Sequence, residues 1–417
     1  MDKVRIDPLK RVEGLGRLFV NTEGGKVKDV RLEIFEPPRF FEKLLIGKEP
    51  DAVLDTVARI CGLCPVAYQM SATEAFERIF GVEVSDSVRI LRRVLYCGEW
   101  IASHSAHIFF LHLPDFFGKE NFLQLAKERT DLLNMGLSLR KVGNWIIEVI
   151  GGRHIHPVNL RVGGFYRLPS EGQIESTLQE IERAIPLAQE LLDLTFSLEY
   201  PELEGGWEMI SLGEADTYPI TEGKIVSSRG WSVDKNRFEE KVEEYQEPRS
   251  TALYARLRGG ETYMVGPLAR LNNNYNLLPP QIRDKVKVPV NNPYKSIIAR
   301  AVEILYSLEE AKRLLERVSL EGEPYTPWEP REGEGIGVTE APRGILYHRY
   351  RVDRKGKVVE ANIVPPTSQN QRVMEEAVLN RLRENNVDMV VEAEKVVRSF
   401  DPCISCASHF LVVVKLP

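Results

Sequence analysis

The sequence predicts an α+β chain, predominantly helical, with a central bundle of long helices and β-hairpins at its periphery. Three observations predict it. Apolar residues recur three and four apart through long windows, as one face of a helix requires, from residue 86 to about Pro114, from about Ser170 to Leu198 and from roughly Pro293 to Val318. Near the start, Val30, Leu32 and Ile34 alternate with Arg31 and Glu33, the period of a half-buried strand. The composition, 43% hydrophobic and 28% charged, is that of a soluble globular chain able to bury its own core without staples. Residues 1–417 read as one domain. It has a β-rich opening (about 1–40), a peripheral mixed region (about 202–290) and a C-terminal segment (about 400–417) that carries potential metal ligands.

In order along the chain, Glu23-Gly24-Gly25 supplies a hairpin turn, and a short helix follows over 40–45. Asp51 is placed as the cap of a helix carrying Val53, Leu54, Val57 and Ile60. Gly62 and Pro65 interrupt it, and a second helix runs from about Val66 to Phe80, stopped by Gly81. Cys64 then precedes a helix start, where unpaired N–H groups and the helix dipole favour thiolate over thiol. Asp86 or Ser87 opens the long helix. Its stripe of Cys97, Trp100, His104, His107 and Leu111 is widened by Leu91, Leu95 and Ile101, so burial on more than one side is expected. Cys97 reads as a packed thiol. The glycine-rich stretch 151–165 has neither GxGxxG after a strand nor a GKS/T ending, so it reads as packing and not nucleotide binding. From Glu202 to Thr262 the chain reads as β-rich or peripheral. Val352 to Val364 reads as strand turned at Arg354-Lys355-Gly356-Lys357, followed by helices carrying Met374, Val378 and Leu382, then Met389, Val391 and Val396.

Several classes drop out. A formal charge of −6 with no basic block argues against nucleic acid. Five cysteines, an odd number in short pairs, argue against a disulfide framework and for a reducing compartment. No stretch is long and apolar enough to span a bilayer, so an integral membrane protein is not expected. Met1-Asp2-Lys3-Val4-Arg5 does not read as a signal peptide, and a cytoplasmic location is expected.

The chemistry lies in two cysteine pairs at opposite ends, Arg59-Ile60-Cys61-Gly62-Leu63-Cys64-Pro65 and Asp401-Pro402-Cys403-Ile404-Ser405-Cys406. Thiolates are soft ligands for Ni, Zn, Cu(I) or iron–sulfur clusters. By spacing alone a structural zinc site, two separate redox motifs and a catalytic thiolate metal site all stand. Zinc ribbons, however, close short local loops, and neither pair follows a thioredoxin-like strand.

The flanks go further. RICGLC and DPCISC resemble the two nickel-binding signatures of the large subunit of nickel–iron hydrogenases. Other stretches resemble that family's motifs in the same order. They are Arg11-Val12-Glu13-Gly14, SHSAHIFFLHLPD over 103–115, the loop through Arg153 and His156-Pro157, Ala341-Pro342-Arg343-Gly344 and Val364 to Asn370. The stretch from Tyr263 to Asn272 resembles the cytosolic, cofactor-linked branch in particular. The resemblance spans essentially the whole chain and is weakest from Glu202 to Thr262. It implies the fold of hydrogenase large subunits, shared with the quinone-site subunit of respiratory complex I, which lacks the four cysteines. One departure is Tyr68, where many relatives carry histidine.

The resemblance implies a catalytic subunit for the reversible oxidation of H2 to protons and electrons. Cys61, Cys64, Cys403 and Cys406 would hold nickel, with Cys64 and Cys406 bridging to an iron that carries CO and two cyanides. Cys403 would be the first proton acceptor and Glu13 would carry the proton outward. Arg343 would face the open side of the metal pair, acting by charge or as a base. Thr367, with Ser368 beside it as the neighbouring alternative, would donate to an iron-bound cyanide. Asp115 falls on the last carboxylate of the histidine-rich motif, in which His104 and His107 would support the site without ligating it. Glu42 and His409 would bind Mg2+. With no spare cysteine clusters, the chain would need a small subunit carrying Fe–S clusters. Further Fe–S or flavin- and NAD(P)-binding subunits, or a ferredoxin-type acceptor, would complete the path.

Overall fold

The computed structural model describes residues 2–203, 205–383 and 387–408. The predicted magnesium ligand His409 and the tail after it lie outside the described residues. Helix outweighs strand, 49% to 19%, in a mixed α and β chain.

Strands β1 (Asp2–Ile6), β2 (Gly16–Glu23) and β3 (Lys26–Ile34) form an antiparallel sheet in that order. Gly24 and Gly25, both at positive φ, make the two-residue turn expected between β2 and β3. A bulge opposite Asn21 and Thr22 inserts one residue into β3, which brings Val27 to the same buried side as Val30, Leu32 and Ile34.

After α1 (Phe41–Leu45) come α2 (Pro50–Val57), a 3-10 turn (Ala58–Ile60) and α3 (Pro65–Phe80), which Gly81 ends at φ +65°. Asp51 does not cap α2. The N-cap is Glu49, and the Asp51 carboxylate instead accepts from Val162 N–H (3.2 Å) and Tyr166 O–H (3.3 Å), tying the helix to the glycine-rich loop.

Helix α4 (Asp86–Ala106) is capped by Ser85, whose Oγ accepts from Val88 N–H at 3.3 Å. It runs on through a π-helical turn (His107–His112) into α5 (Leu113–Phe116), and from Val94 to Ser105 every residue is buried. Then follow α6 (Phe122–Glu128), α7 (Thr130–Gly151), a small hairpin of β4 (Leu160–Arg161) and β5 (Gly164–Phe165), and α8 (Glu171–Ser197). Ser170 and Gln173 form a full capping box at the start of α8.

The next stretch is strand-rich, as expected, with β6 (Glu208–Gly213), β7 (Lys224–Ser227), β8 (Ser232–Val233), α9 (Phe238–Lys241), β9 (Val242–Gln246), β10 (Leu253–Leu257) and β11 (Tyr263–Met264). Its sheet order is β11-β6-β7-β8, with β11 parallel to β6, and β9 and β10 pair separately. The region is peripheral only in part. All six residues of β6 are buried, because the strand lies between α10 (Pro267–Asn274) and the later strands and shares an apolar core with them.

The chain continues through α11 (Pro280–Arg283), α12 (Ser296–Leu315), β12 (Gly333–Ala341), β13 (Gly344–Val352), β14 (Val358–Val364), α13 (Pro366–Leu382), α14 (Met389–Phe400) and α15 (Ile404–Ala407). Helix α4 packs on α7 and α12, and α12 packs on α8. That bundle, with α3 laid across β12 and β13, is the frame that positions the ends of the chain. No helix among the described residues is long and apolar enough to cross a membrane.

Candidate metal centre

The frame brings the two cysteine pairs together. Cys61 Sγ stands 3.5 Å from Cys403 Sγ, 342 residues away in sequence. The sulfurs of Cys61, Cys64 and Cys406 lie within 4.8 Å of one another. None of the four forms a disulfide, and each is at most 4% exposed.

Each half is fixed by local contacts. Cys61 follows the 3-10 turn, and its sulfur accepts from Leu63 N–H at 3.3 Å. Cys64 is the N-cap of α3, as its position before Pro65 implies, but the helix start does not make it the acidic thiol. The first N–H groups of α3, on Val66 and Ala67, are taken by the buried Glu99 carboxylate (2.6 and 3.0 Å). Cys403 lowers the Cys64 pKa, yet contacts with Cys406 and Cys61, together with burial, leave it well above the ordinary value. Cys61 is the low one, held down by hydrogen bonds with Cys403, then Cys406 and Cys64. Cys403 is raised by its contacts with Cys406, Cys61 and Cys64, and Cys406 is raised by burial. One thiolate therefore opposes the next, and full deprotonation needs a positive centre between the sulfurs. Four soft donors in a buried, water-poor cluster fit a thiophilic transition metal.

Glu13 arrives from the N-terminal end. Its backbone bridges to Cys403, with Ile404 N–H donating to Glu13 C=O at 3.0 Å. Its Oε2 accepts from Ser405 N–H (3.0 Å) and stands 3.1 Å from Cys403 Sγ. The next residue has to be glycine. Gly14 sits at φ +88°, and a Cβ there would fall 2.7 Å from Ile404 Cβ. Arg343 occupies the two-residue turn between β12 and β13 and is buried, not exposed as a turn arginine usually is. It donates to the Asp401 carbonyl (2.8 Å) and carboxylate (3.0 Å) and to Ser103 Oγ (3.3 Å). Burial works against its charge, but Asp401 and the cysteine sulfurs keep it protonated well above its ordinary pKa.

Thr367, in the first turn of α13, accepts from Cys403 N–H at 3.0 Å, while the buried Ser368 hydroxyl beside it has no partner among the described residues. Glu42 is half-buried and accepts from Ile363 N–H at 2.7 Å. Asp115 is used elsewhere. It takes both nitrogens of the Arg398 fork (2.8 and 2.9 Å) and also pairs with Arg11, so it anchors the chain before Glu13 to α14 and does not reach the sulfurs. His104 and His107 bond to Glu303 and to the Arg398 carbonyl, not to cysteine.

Three residues at the centre escaped the sequence reading. Asp401 stood inside the quoted DPC motif without a role. Arg39 donates to Ile60 C=O (2.7 Å) and to Ser405 C=O, joining the two cysteine segments. Glu99 carries no local signal at all.

A family model described as nickel-dependent hydrogenase matches residues 39–144 and 254–409, which include both cysteine pairs. The chain belongs to the nickel-dependent hydrogenase family.

Its curated relatives include the alpha subunits of sulfhydrogenase 1 and sulfhydrogenase 2 of Pyrococcus furiosus. They are 34% and 36% identical, over 97% and 98% of this chain and 97% and 99% of theirs. Among solved structures, an NAD+-reducing nickel–iron hydrogenase in its H2-reduced state superposes with a TM-score of 0.89 at 27% identity, covering 98% of this chain and all of that one. This hydrogenase chain is thus the catalytic large subunit, an oxidoreductase acting on H2 at a nickel–iron centre.

Proposed function

We propose that Cys61, Cys64, Cys403 and Cys406 would hold the nickel of this hydrogenase, and that Cys64 and Cys406 would also offer sulfur to an iron carrying CO and two cyanides. The observation that carries the reading is the convergence of four buried cysteine sulfurs, none in a disulfide, from both ends of the chain. When bound, the metal pair supplies the electrophile that polarises H2 and takes up its two electrons.

The protein's own residues handle the protons and the surroundings. Cys403, bound only to nickel, would keep a sulfur lone pair for the first proton. Glu13 Oε2, within hydrogen-bond reach of that sulfur, receives it and passes it outward from a half-buried position. Arg343 stays protonated, which favours action by charge over action as a base. Thr367, having accepted the Cys403 N–H, keeps its own hydroxyl proton free for a cyanide. Glu42 and His409 serve as magnesium ligands, an oxygen-and-nitrogen set suited to that ion.

Electrons leave through a partner. Outside the cluster the chain has only Cys97, whose buried thiol is pushed up to about 12. The large subunit, working as one domain in the cytoplasm, therefore docks a small subunit carrying Fe–S clusters. Through it, NAD(P) or a ferredoxin-type carrier is reached, a reading supported by the likeness to an NAD+-reducing hydrogenase. Infrared spectroscopy and metal analysis of the purified complex test the centre. Nickel, iron and CO and cyanide stretching bands are expected, and zinc without those bands would overturn the reading.

A further inference from the structure

Two chains of hydrogen bonds and ion pairs run from one carboxylate toward Arg343 and the turn that bears it. Glu303, midway along α12, is wholly buried. In the first chain its Oε2 bonds His104 Nε2 (2.8 Å), and His104 Nδ1 meets Arg300 (3.2 Å). Arg300 pairs with Asp401 Oδ2 (3.4 Å), and Asp401 Oδ1 accepts from Arg343 (3.0 Å). A guanidinium only donates, so Nδ1 is the acceptor and Nε2 carries the proton given to Glu303. In the second chain both Glu303 oxygens accept from Arg270 at 2.7 Å. Arg270 in turn donates to the carbonyls of Ala341 (2.9 Å) and Pro342 (3.0 Å), the two residues before Arg343. One arm ends on the Arg343 side chain and the other on the turn that bears it.

The charges in this array balance. Arg270, Arg300 and Arg343 stand against Glu303, Glu340 and Asp401, all buried. Such networks add little net stability over apolar packing, but each member fixes the geometry of the next. The hub is Glu303, which also accepts from Tyr218 O–H at 2.9 Å.

We propose that Glu303 is a positioning residue for this hydrogenase, holding Arg343 at the cysteine cluster through Arg270 on one side and through His104, Arg300 and Asp401 on the other. The inference rests on the reading of that cluster as the metal centre. The test uses the purified complex, with every quantity normalised to bound nickel. Glu303→Gln is expected to lower kcat for H2 uptake between about ten- and a hundred-fold, the scale on which small misplacements act, with little change in KM. It is also expected to displace the CO and cyanide stretching bands.

Two histidine variants separate the side-chain arm from general packing. His104→Asn keeps an amide oxygen where Nδ1 stands but loses the Glu303 bond, and is expected to move the bands. His104→Gln keeps the Glu303 bond but loses the one to Arg300, and is expected to move them as well. Bands and kcat unchanged in both Glu303→Gln and His104→Gln overturn the inference, as do native bands in His104→Asn, which would show Arg300 held without Glu303. If Glu303→Gln does not assemble, the histidine pair decides. A native complex without CO or cyanide bands would refute the cofactor reading instead, and kcat and KM of the same variants would still decide the positioning.

Discussion

The Glu13 carboxylate lies 3.1 Å from the sulfur of Cys403, although 390 residues separate them in sequence. A carboxylate and a thiol at that distance are within hydrogen-bond reach, close enough to exchange a proton without an intermediary. The same Glu13 oxygen accepts from Ser405 N–H, so its position is set by backbone and not by chance rotamer choice.

Glu13→Gln keeps the shape and the Ser405 bond but removes the proton acceptor. Metal content and infrared bands are expected to stay native while H/D exchange slows by about a hundred-fold or more, the usual contribution of a positioned acid or base. Unchanged exchange would remove Glu13 from the path.

Cys403→Ala deletes the sulfur that faces both Cys61 and Glu13. Uptake of H2 is expected to fall to background, and the nickel content should fall with it. Retained turnover in a gas-uptake assay would refute the assignment.

Gly14→Ala places a methyl group 2.7 Å from Ile404 Cβ at a φ that L-residues disfavour. A loss of about 1–3 kcal/mol is expected from the strained backbone alone. The measurable sign is a lower melting temperature with reduced nickel occupancy, although Gly14 bears no ligand. A native melting temperature would mean the contact relaxes freely.

Arg39→Ala cuts the bonds to Ile60 and Ser405 that hold the two cysteine segments in register. Faster loss of nickel to a chelator is expected, with partial recovery in Arg39→Lys, because both bonds leave one terminal nitrogen and an ammonium also carries several donors. Equal chelation rates in all three proteins would show the bonds to be incidental.

Acid should destabilise the fold through its buried histidines. Burial pushes His104 down to about 4 and lowers His107 and His112 in the same way. Below the unfolded value of 6.5 the unfolded chain takes up protons that the folded one refuses. Stability is therefore full above that pH and is lost as pH falls toward 4, by roughly 3 kcal/mol for His104 alone. Melting temperatures measured from pH 7 down to 5 should decline, with a shallower slope in His112→Phe. A flat profile would contradict the buried, neutral state of these rings.

What could be read beforehand follows from how local each signal is. The cysteine pairs, Glu13 and Arg343 sit in short motifs whose flanks carry the information, and the structure gathers all of them at one point. Periodicity gave α4, α8 and α12, whereas α7 (Thr130–Gly151) was not read. Strand β12 was missed because glycines at 333, 335 and 337 interrupt its alternation and its inner end is buried throughout. Asp115, expected at the last carboxylate of the histidine-rich motif, pairs with Arg398 and Arg11, partners that a carboxylate after a helix break does not announce. Glu99, Arg39 and Glu303 were out of reach. Each takes its meaning from partners brought near only by the tertiary fold, and a lone charged residue does not announce them.

The distance in sequence between Cys61 and Cys403 has a thermodynamic consequence. A cation gripped by sulfurs 342 residues apart is also a cross-link, closing a ring around most of the polypeptide. By the chain-entropy argument used for disulfides, a closure of that size restrains the denatured ensemble by on the order of 5 kcal/mol. Stripping the metal thus opens the ring as well as emptying the pocket, and resistance to heat should depart together with catalysis.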